Sequence, residues 1–186
     1  MRNVYDFDGT IYVGDSTVDF YIFCIRRHPL SLLPLPMVAF YILGYKLHLC
    51  SKTRLKEVFY CFLRHVPQID KELFSFWATH EKKLQPWYLL KRRDADIIVS
   101  ASPEFLLAPI CNKLHTHLIA SRVDRLTGKT TGENCRGEEK VRRLFEQYPN
   151  IKIREFYSDS RSDLPLARLA KQSFFVTKRG NEPWKR

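Results

Sequence analysis

The sequence predicts an α/β fold, a Rossmann-like parallel sheet covered by helices and interrupted after its first strand by a helical insertion. Two observations carry that prediction. Short apolar runs ending in polar, small or acidic residues alternate with helical patterns, and this rhythm lapses between about Tyr12 and Tyr88. Alternating strands and helices build parallel sheets through right-handed crossovers. In such sheets ligands bind beyond the carboxyl ends of the strands.

From the N-terminus, "NVYDFD" reads as a buried first strand. Residues 12–88 show no strand pattern and read as a helical cap, leaving residues 1–11 and 89–186 as the core. "ADIIVSAS" is the second strand, "PEFLLAPICNKL" a helix and "THLIAS" another strand. "GEEKVRRLFEQY" is a helix, "REFYSDS" a strand, "SDLPLARLAKQ" a helix and "SFFVT" the last strand. His115 and His117 alternate along the third run with no third ligand evident, so they read as a strand-surface pair.

Within the insertion, "PLSLLPLPMVAFYILGY" (Pro29 to Tyr45) carries no charged residue, and three prolines interrupt its first half. It is near the lower length limit for a membrane span. An interfacial or re-entrant segment fits it better than a spanning helix, and a buried helix pair within the cap fits equally. From Phe20 to Lys56 there are six Lys/Arg and no acid, which suits an anionic lipid surface. Phe59, Phe62, Phe74, Phe76 and Trp77 are expected to pack the cap or meet lipid.

With 186 residues and 45% hydrophobic content, the chain can bury a core of its own. Its net charge of +11 favours anionic partners such as phosphate esters, a lipid surface or nucleic acid. No nucleic-acid-binding motif accompanies the basic tail "TKRGNEPWKR", so nucleic acid is not expected as a partner. Five widely spaced cysteines without a CxxC pair indicate neither a zinc site nor a disulfide framework, and imply reduced thiols in the cytoplasm. "MRNVYDFDG" is not expected to be a signal peptide, because its acidic pair precedes any apolar region.

Three strand ends carry polar clusters. In "VYDFDGT", Asp6 and Asp8 stand two residues apart, and strand residues i and i+2 point to one side. Both carboxylates can enter one pocket, with Gly9 permitting a sharp turn and Thr10 able to cap the next segment. Close carboxylates repel and call for a cation, and hard oxygen ligands suit Mg²⁺. An Asx-turn accounts for the same pair. "YSDSRSD" adds Asp159 and Asp163, as a further metal ligand or as helix-start residues. "VSASPE" ends a strand at Ser100 and opens a helix near Pro103, where a hydroxyl beside free N–H groups makes a phosphate cradle. Lys140 comes after Gly137 at another helix start and can add charge at phosphoryl oxygens, although alone it reads as a surface lysine.

In this order, "DFDGT", Ser100, Lys140 and "DSRSD" resemble the four-motif signature of the haloacid dehalogenase superfamily of phosphohydrolases. The insertion after the first motif is similar to the cap of its phosphoserine-phosphatase-like branch. The resemblance implies a three-layer Rossmann-like core with a helical cap, and Mg²⁺-dependent phosphoryl transfer through an aspartyl-phosphate. Residue by residue, it implies Asp6 as nucleophile and Asp8 as the acid that protonates the leaving oxygen and then activates water. It implies Ser100 and Lys140 holding the phosphoryl group. It also implies a metal set of Asp6, Asp8 (through its backbone carbonyl), Asp159 and Asp163, the last positioning a bound water or Lys140.

In phosphoserine phosphatases a glutamate after the first motif helps bind the substrate ammonium; here "YVGDST" offers the shorter Asp15. The stretch from Arg26 to Glu57 is similar to the cap of the bacterial phosphatidylglycerophosphatase of this superfamily, with a Thr-Arg-x-Lys element at Thr53 to Lys56. That resemblance implies a lipid-linked phosphomonoester, with Arg54 or Lys56 meeting an anionic headgroup. It further implies peripheral contact with an anionic membrane on its cytoplasmic face. A soluble phosphoserine-type or other small-metabolite phosphatase is the alternative reading.

Overall fold

Val4 and Tyr5 are neighbours in strand β1 (Arg2–Tyr5) and both are fully buried. Successive strand residues point to opposite faces, so both faces of this strand must be covered. The computed structural model, which describes residues 1–185, shows how. Strands β1, β2 (Ile97–Pro103), β3 (His117–Ser121), β4 (Ile153–Ser158), β5 (Gln172–Thr177) and β6 (Gly180–Pro183) form one sheet in the order β3-β2-β1-β4-β5-β6. All neighbours are parallel except β5 and β6.

Register aligns Val4 with Ile97 and Phe156, and Tyr5 with Ile98 and Tyr157. The first trio joins one core cluster with Leu144 and Leu166, from helices α7 (Glu138–Gln147) and α8 (Leu164–Leu169). The second joins another with Leu106 of α6 (Glu104–Lys113) and Tyr88 of α5 (Pro86–Lys91). Sheet and two helical faces make three layers, and each fully buried apolar side chain contributes about 1.5–3 kcal/mol. Across the second face Tyr5, Tyr157 and Phe174 stack in sequence, with centroids 5.1 and 4.8 Å apart.

Between β1 and β2 the chain forms helices α1 (Ser16–Arg27), α2 (Leu35–Lys46), α3 (Lys52–Tyr60), α4 (Ile69–His80) and α5, with 3₁₀ turns between them. Phe20, Phe62, Phe76 and Trp77 from this region belong to the same cluster as Tyr5 and Phe7, so it packs onto the sheet. Phe59 is half-buried, whereas Phe74 is exposed. The apolar segment divides at Leu33–Pro34 into a 3₁₀ turn (Pro29–Leu32) and α2. It does not form a buried helix pair: only 17% of Pro29–Lys46 is buried.

Strand β6, in the basic tail, has no strand pattern in the sequence; it adds an antiparallel edge through Phe175↔Glu182 and Val176↔Asn181. His115 has φ +53° in the turn before β3, so it does not share a strand with His117, which is exposed and lies near the Tyr148 ring. All five cysteines are free.

Candidate active site

Asp6 comes directly after β1, and its N–H donates to the Tyr157 carbonyl at 2.9 Å, extending the β1–β4 pairing. From β1 the chain builds β2 and β3 on one side and later β4 and β5 on the other. Such a switch point leaves a crevice at the carboxyl ends of the strands. A cavity of about 450 Å³ opens there, with Asp6, Asp8, Ser100, Lys140 and Asp163 in its lining.

Lys140, only 2% exposed, reaches from α7 between two carboxylates. Its Nζ stands 2.8 Å from Asp6 Oδ1 and 2.7 Å from Asp163 Oδ2. The Ser158 hydroxyl donates to Asp163 Oδ2 at 2.8 Å and lies 3.4 Å from Asp6 Oδ2. Burial opposes the charge on Lys140, but Asp6 and Asp163 more than offset it and hold the ammonium above the usual lysine value. Burial pushes Asp6 above the usual carboxylate range, against the pull of Lys140 and with Asp163 adding to the rise.

Asp8 accepts from the Ser16 N–H at 2.6 Å and from the Ser102 hydroxyl. Burial raises its pKa, and those two hydrogen bonds only partly offset the effect. A carboxyl held this way keeps its proton to higher pH, as a general acid must. The Ser100 oxygen accepts from the Ser102 N–H at 3.1 Å, so its own proton is directed elsewhere. Thr10 is not a helix cap. Its hydroxyl accepts from the Asp159 N–H at 3.0 Å and lies 3.5 Å from Asp159 Oδ1, tying the first loop to the one after β4.

Among the described residues, no three acidic, histidine or cysteine side chains converge as a ready metal cage. Mg²⁺ does not require one, since it keeps several waters and takes about one or two carboxylates. Two features fit a hard cation. Asp163 Oδ1 is buried without a hydrogen-bond partner. Gly9 (φ +68°) leaves space that Asp159 fills, for a Cβ there would stand 2.0 Å from Asp159 Oδ2. The set Asp6, Asp8, Asp159 and Asp163 offers oxygen alone, the donor that Mg²⁺ prefers.

The residues expected to bind the rest of the substrate divide. Lys56 enters the cavity, with Nζ 2.9 Å from the Ala101 carbonyl and 2.7 Å from Asn134 Oδ1. Asp15 also lines it, but Oδ1 caps α1 by accepting from the Thr17 and Val18 N–H groups at 2.9 and 3.0 Å. Arg54 is outside the cavity lining; it is exposed, pairs with Glu57 at 3.3 Å and lies over the Tyr41 ring.

Sequence reasoning missed Ser102, Ser158, Asn134 and Arg136. Ser102 was legible as the i+2 partner of Ser100 on one strand side. Arg136 lines the cavity and donates to the Ser162 hydroxyl at 3.1 Å, but no pattern around it marks a site. The cavity lining thus combines the carboxylates and Lys140 with polar Lys56, Asn134 and Arg136 and with apolar Val18, Val38, Ile42, Leu55 and Phe59.

Comparison with known proteins bears on this arrangement. The family described as haloacid dehalogenase-like hydrolase matches residues 4–168. The chain is 33% identical over 91 residues to protein CicA of Caulobacter vibrioides, covering 45% of this chain and 41% of that protein. It is 32% identical over 96 residues to a histidinol-phosphatase of Neisseria meningitidis, covering 45% and 43% respectively. These matches span about two-fifths of each curated relative. In fold it is similar to a probable phosphoserine phosphatase from Vibrio cholerae, with TM-score 0.64, 13% identity, and 93% and 55% of the two chains covered.

Proposed function

This chain belongs to the haloacid dehalogenase-like hydrolases, and from that membership we propose that it is an Mg²⁺-dependent phosphomonoester hydrolase working through an aspartyl-phosphate on Asp6. The observation that carries the reading is the pairing of Asp6 and Asp163 through buried Lys140 in a cavity that also holds Asp8 and Ser100.

Asp6 attacks phosphorus, and the bond from phosphorus to the ester oxygen breaks. Asp8 gives its proton to that leaving oxygen. As a carboxylate, Asp8 then takes a proton from water, whose oxygen attacks phosphorus and breaks the bond to Asp6. Phosphate leaves and Asp6 is restored. Lys140 and the Ser100 hydroxyl hold the phosphoryl oxygens, since phosphoryl transfer depends chiefly on positioning and charge neutralisation. The Asp6 carboxylate, the Asp8 carbonyl and Asp159 would hold Mg²⁺, with Asp163 behind them; when bound, the ion would neutralise charge on phosphoryl and carboxylate oxygens.

Residues 12–88 act as the cap that selects the substrate. The apolar part of the lining supports an amphiphilic substrate, a lipid-linked phosphate such as phosphatidylglycerophosphate. Lys56 and Arg136 meet its further polar or anionic groups. Such an enzyme would work at the cytoplasmic face of an anionic membrane, where its five free thiols stay reduced.

Two measurements test this reading. Asp6→Asn is expected to abolish turnover and the acid-stable phosphoenzyme while leaving the fold intact; retained activity removes the nucleophile assignment. With Mg²⁺, phosphatidylglycerophosphate and prenyl phosphates are expected to exceed phosphoserine in kcat/KM. The opposite order returns the chain to small soluble metabolites.

A further inference from the structure

Helix α2 has an apolar surface on all sides, and the protein covers only part of it. Val38 and Ile42, one turn apart, line the cavity. The rest of the segment faces outward: ten further large apolar side chains from Leu30 to Leu49 are exposed, with Phe40 at 72% and Leu49 at 78%. Monomeric soluble proteins rarely expose a contiguous apolar surface of this extent. Basic residues bracket the segment. Exposed Arg26 and Arg27 end α1 just before it, and exposed Lys46 ends α2. No acid lies in sequence between Phe20 and Lys56. From the other elements, Glu72 pairs with Arg27 at 2.7 Å and Glu57 with Arg54, and neither pair involves Arg26 or Lys46.

We propose that the Pro29–Lys46 segment is an interfacial anchor that lays α2 flat in an anionic lipid bilayer, so that one helix is both membrane contact and cavity wall. The dimensions require the flat orientation. The break at Leu33–Pro34 leaves α2 with 12 residues, about 18 Å of helix against a hydrocarbon core about 30 Å thick. Apolar side chains sink into the acyl boundary while flanking Arg and Lys meet lipid phosphates. Charge complementarity selects the occupant, because a second copy would bring the same basic flanks against these. The substrate chain enters sideways past Val38 and Ile42; this last point rests on the phosphatase reading, whereas the docking does not.

The test is flotation of the full chain with phosphatidylglycerol vesicles and with phosphatidylcholine vesicles. The protein is expected to float with the anionic vesicles only. Phe40→Ser/Leu43→Ser, outside the cavity lining, is expected to weaken that binding by about tenfold or more. It should leave the thermal midpoint and p-nitrophenyl phosphate hydrolysis unchanged. Arg26→Gln/Lys46→Gln is expected to weaken binding in a salt-dependent way. A protein that stays soluble, that floats equally with neutral vesicles, or whose serine variant floats like the parent overturns the anchor. So does a lipid-free dimer abolished by the serine variant, which would make a second copy the occupant. Asp6→Asn is expected to float like the parent, so loss of catalysis and loss of docking are read separately.

Discussion

The carboxylate of Asp159 occupies the space that a side chain on Gly9 would need: a Cβ at Gly9 would lie 2.0 Å from Asp159 Oδ2 and 2.6 Å from Cγ. Gly9 also has φ +68°, a left-handed conformation that costs other residues about 1–2 kcal/mol. Gly9→Ala therefore acts twice. It is expected to lower stability by about 1–2 kcal/mol in urea denaturation and to displace Asp159 from the proposed metal set. Apparent Mg²⁺ affinity is expected to fall about 10- to 100-fold, as for lost positioning around a ligand. A variant that is destabilised yet needs no more Mg²⁺ would separate Asp159 from the metal.

Ser102 ties Asp8, the proposed acid–base residue, to Ser100, the proposed phosphate ligand. Its hydroxyl donates to Asp8, while its N–H donates to Ser100 at 3.1 Å. Burial already raises Asp8, and the Ser102 bond favours the ionised form. Ser102→Ala removes that bond, so the Asp8 pKa rises further. In the proposed mechanism protonated Asp8 begins the reaction, so kcat/KM is expected to fall on the alkaline side as Asp8 loses its proton. That limb is expected to move to higher pH in Ser102→Ala, with a loss of less than about tenfold at the optimum. A limb that moves down or stays fixed would remove Asp8 from the role.

Buried strands and the carboxylates after them were legible because burial on both faces writes continuous apolar runs such as "IIV", although β2 does not end at Ser100 but runs on to Pro103. Strand β6 was not legible, since all four of its residues are exposed and its order comes from pairing with β5. Arg54 and Lys56 show a second limit. Two residues apart on a helix is about 200° of rotation, so only one of them can face the cavity. The phase that selects Lys56 depends on where Leu55 and Phe59 pack, which is a tertiary fact. Asp15, expected to bind substrate, lines the cavity but spends Oδ1 on capping α1, a local backbone role.

Glu139 anchors the helix that carries Lys140. It accepts from Arg142 at 2.7 Å and from buried Arg143 at 2.6 Å, and Arg143 also donates to the Ala120 carbonyl at 2.8 Å. Arg142, with Arg143 beside it, holds the Glu139 carboxyl down to about 2, against an ordinary 4.5. A folded-state value below the unfolded one stabilises the fold above the unfolded value, and that stability is lost as pH falls through the folded value. The contribution is therefore complete above about 4.5 and fades towards about 2. Glu139→Gln is expected to cost about 2–4 kcal/mol at neutral pH, since it leaves Arg143 buried without its carboxylate. In urea titrations the gap between parent and variant should narrow across that acid window. A gap that widens there would rule out the ion cluster as the cause.

Arg136 lines the cavity together with Lys56 and Asn134. It is exposed, and its guanidinium donates to the Ser162 hydroxyl at 3.1 Å. A guanidinium placed there can recognise a second anionic or polar group on the substrate without touching the transferred phosphoryl. Uniform binding of that kind appears in KM and leaves kcat alone. Arg136→Gln is expected to raise KM about tenfold for substrates with a second charged group, with kcat within about twofold, matching one charge-assisted hydrogen bond. For p-nitrophenyl phosphate, which has no second group, neither constant should change. A fall in kcat for both substrates would instead bring Arg136 to the phosphoryl group, and its role would then be catalysis rather than selection.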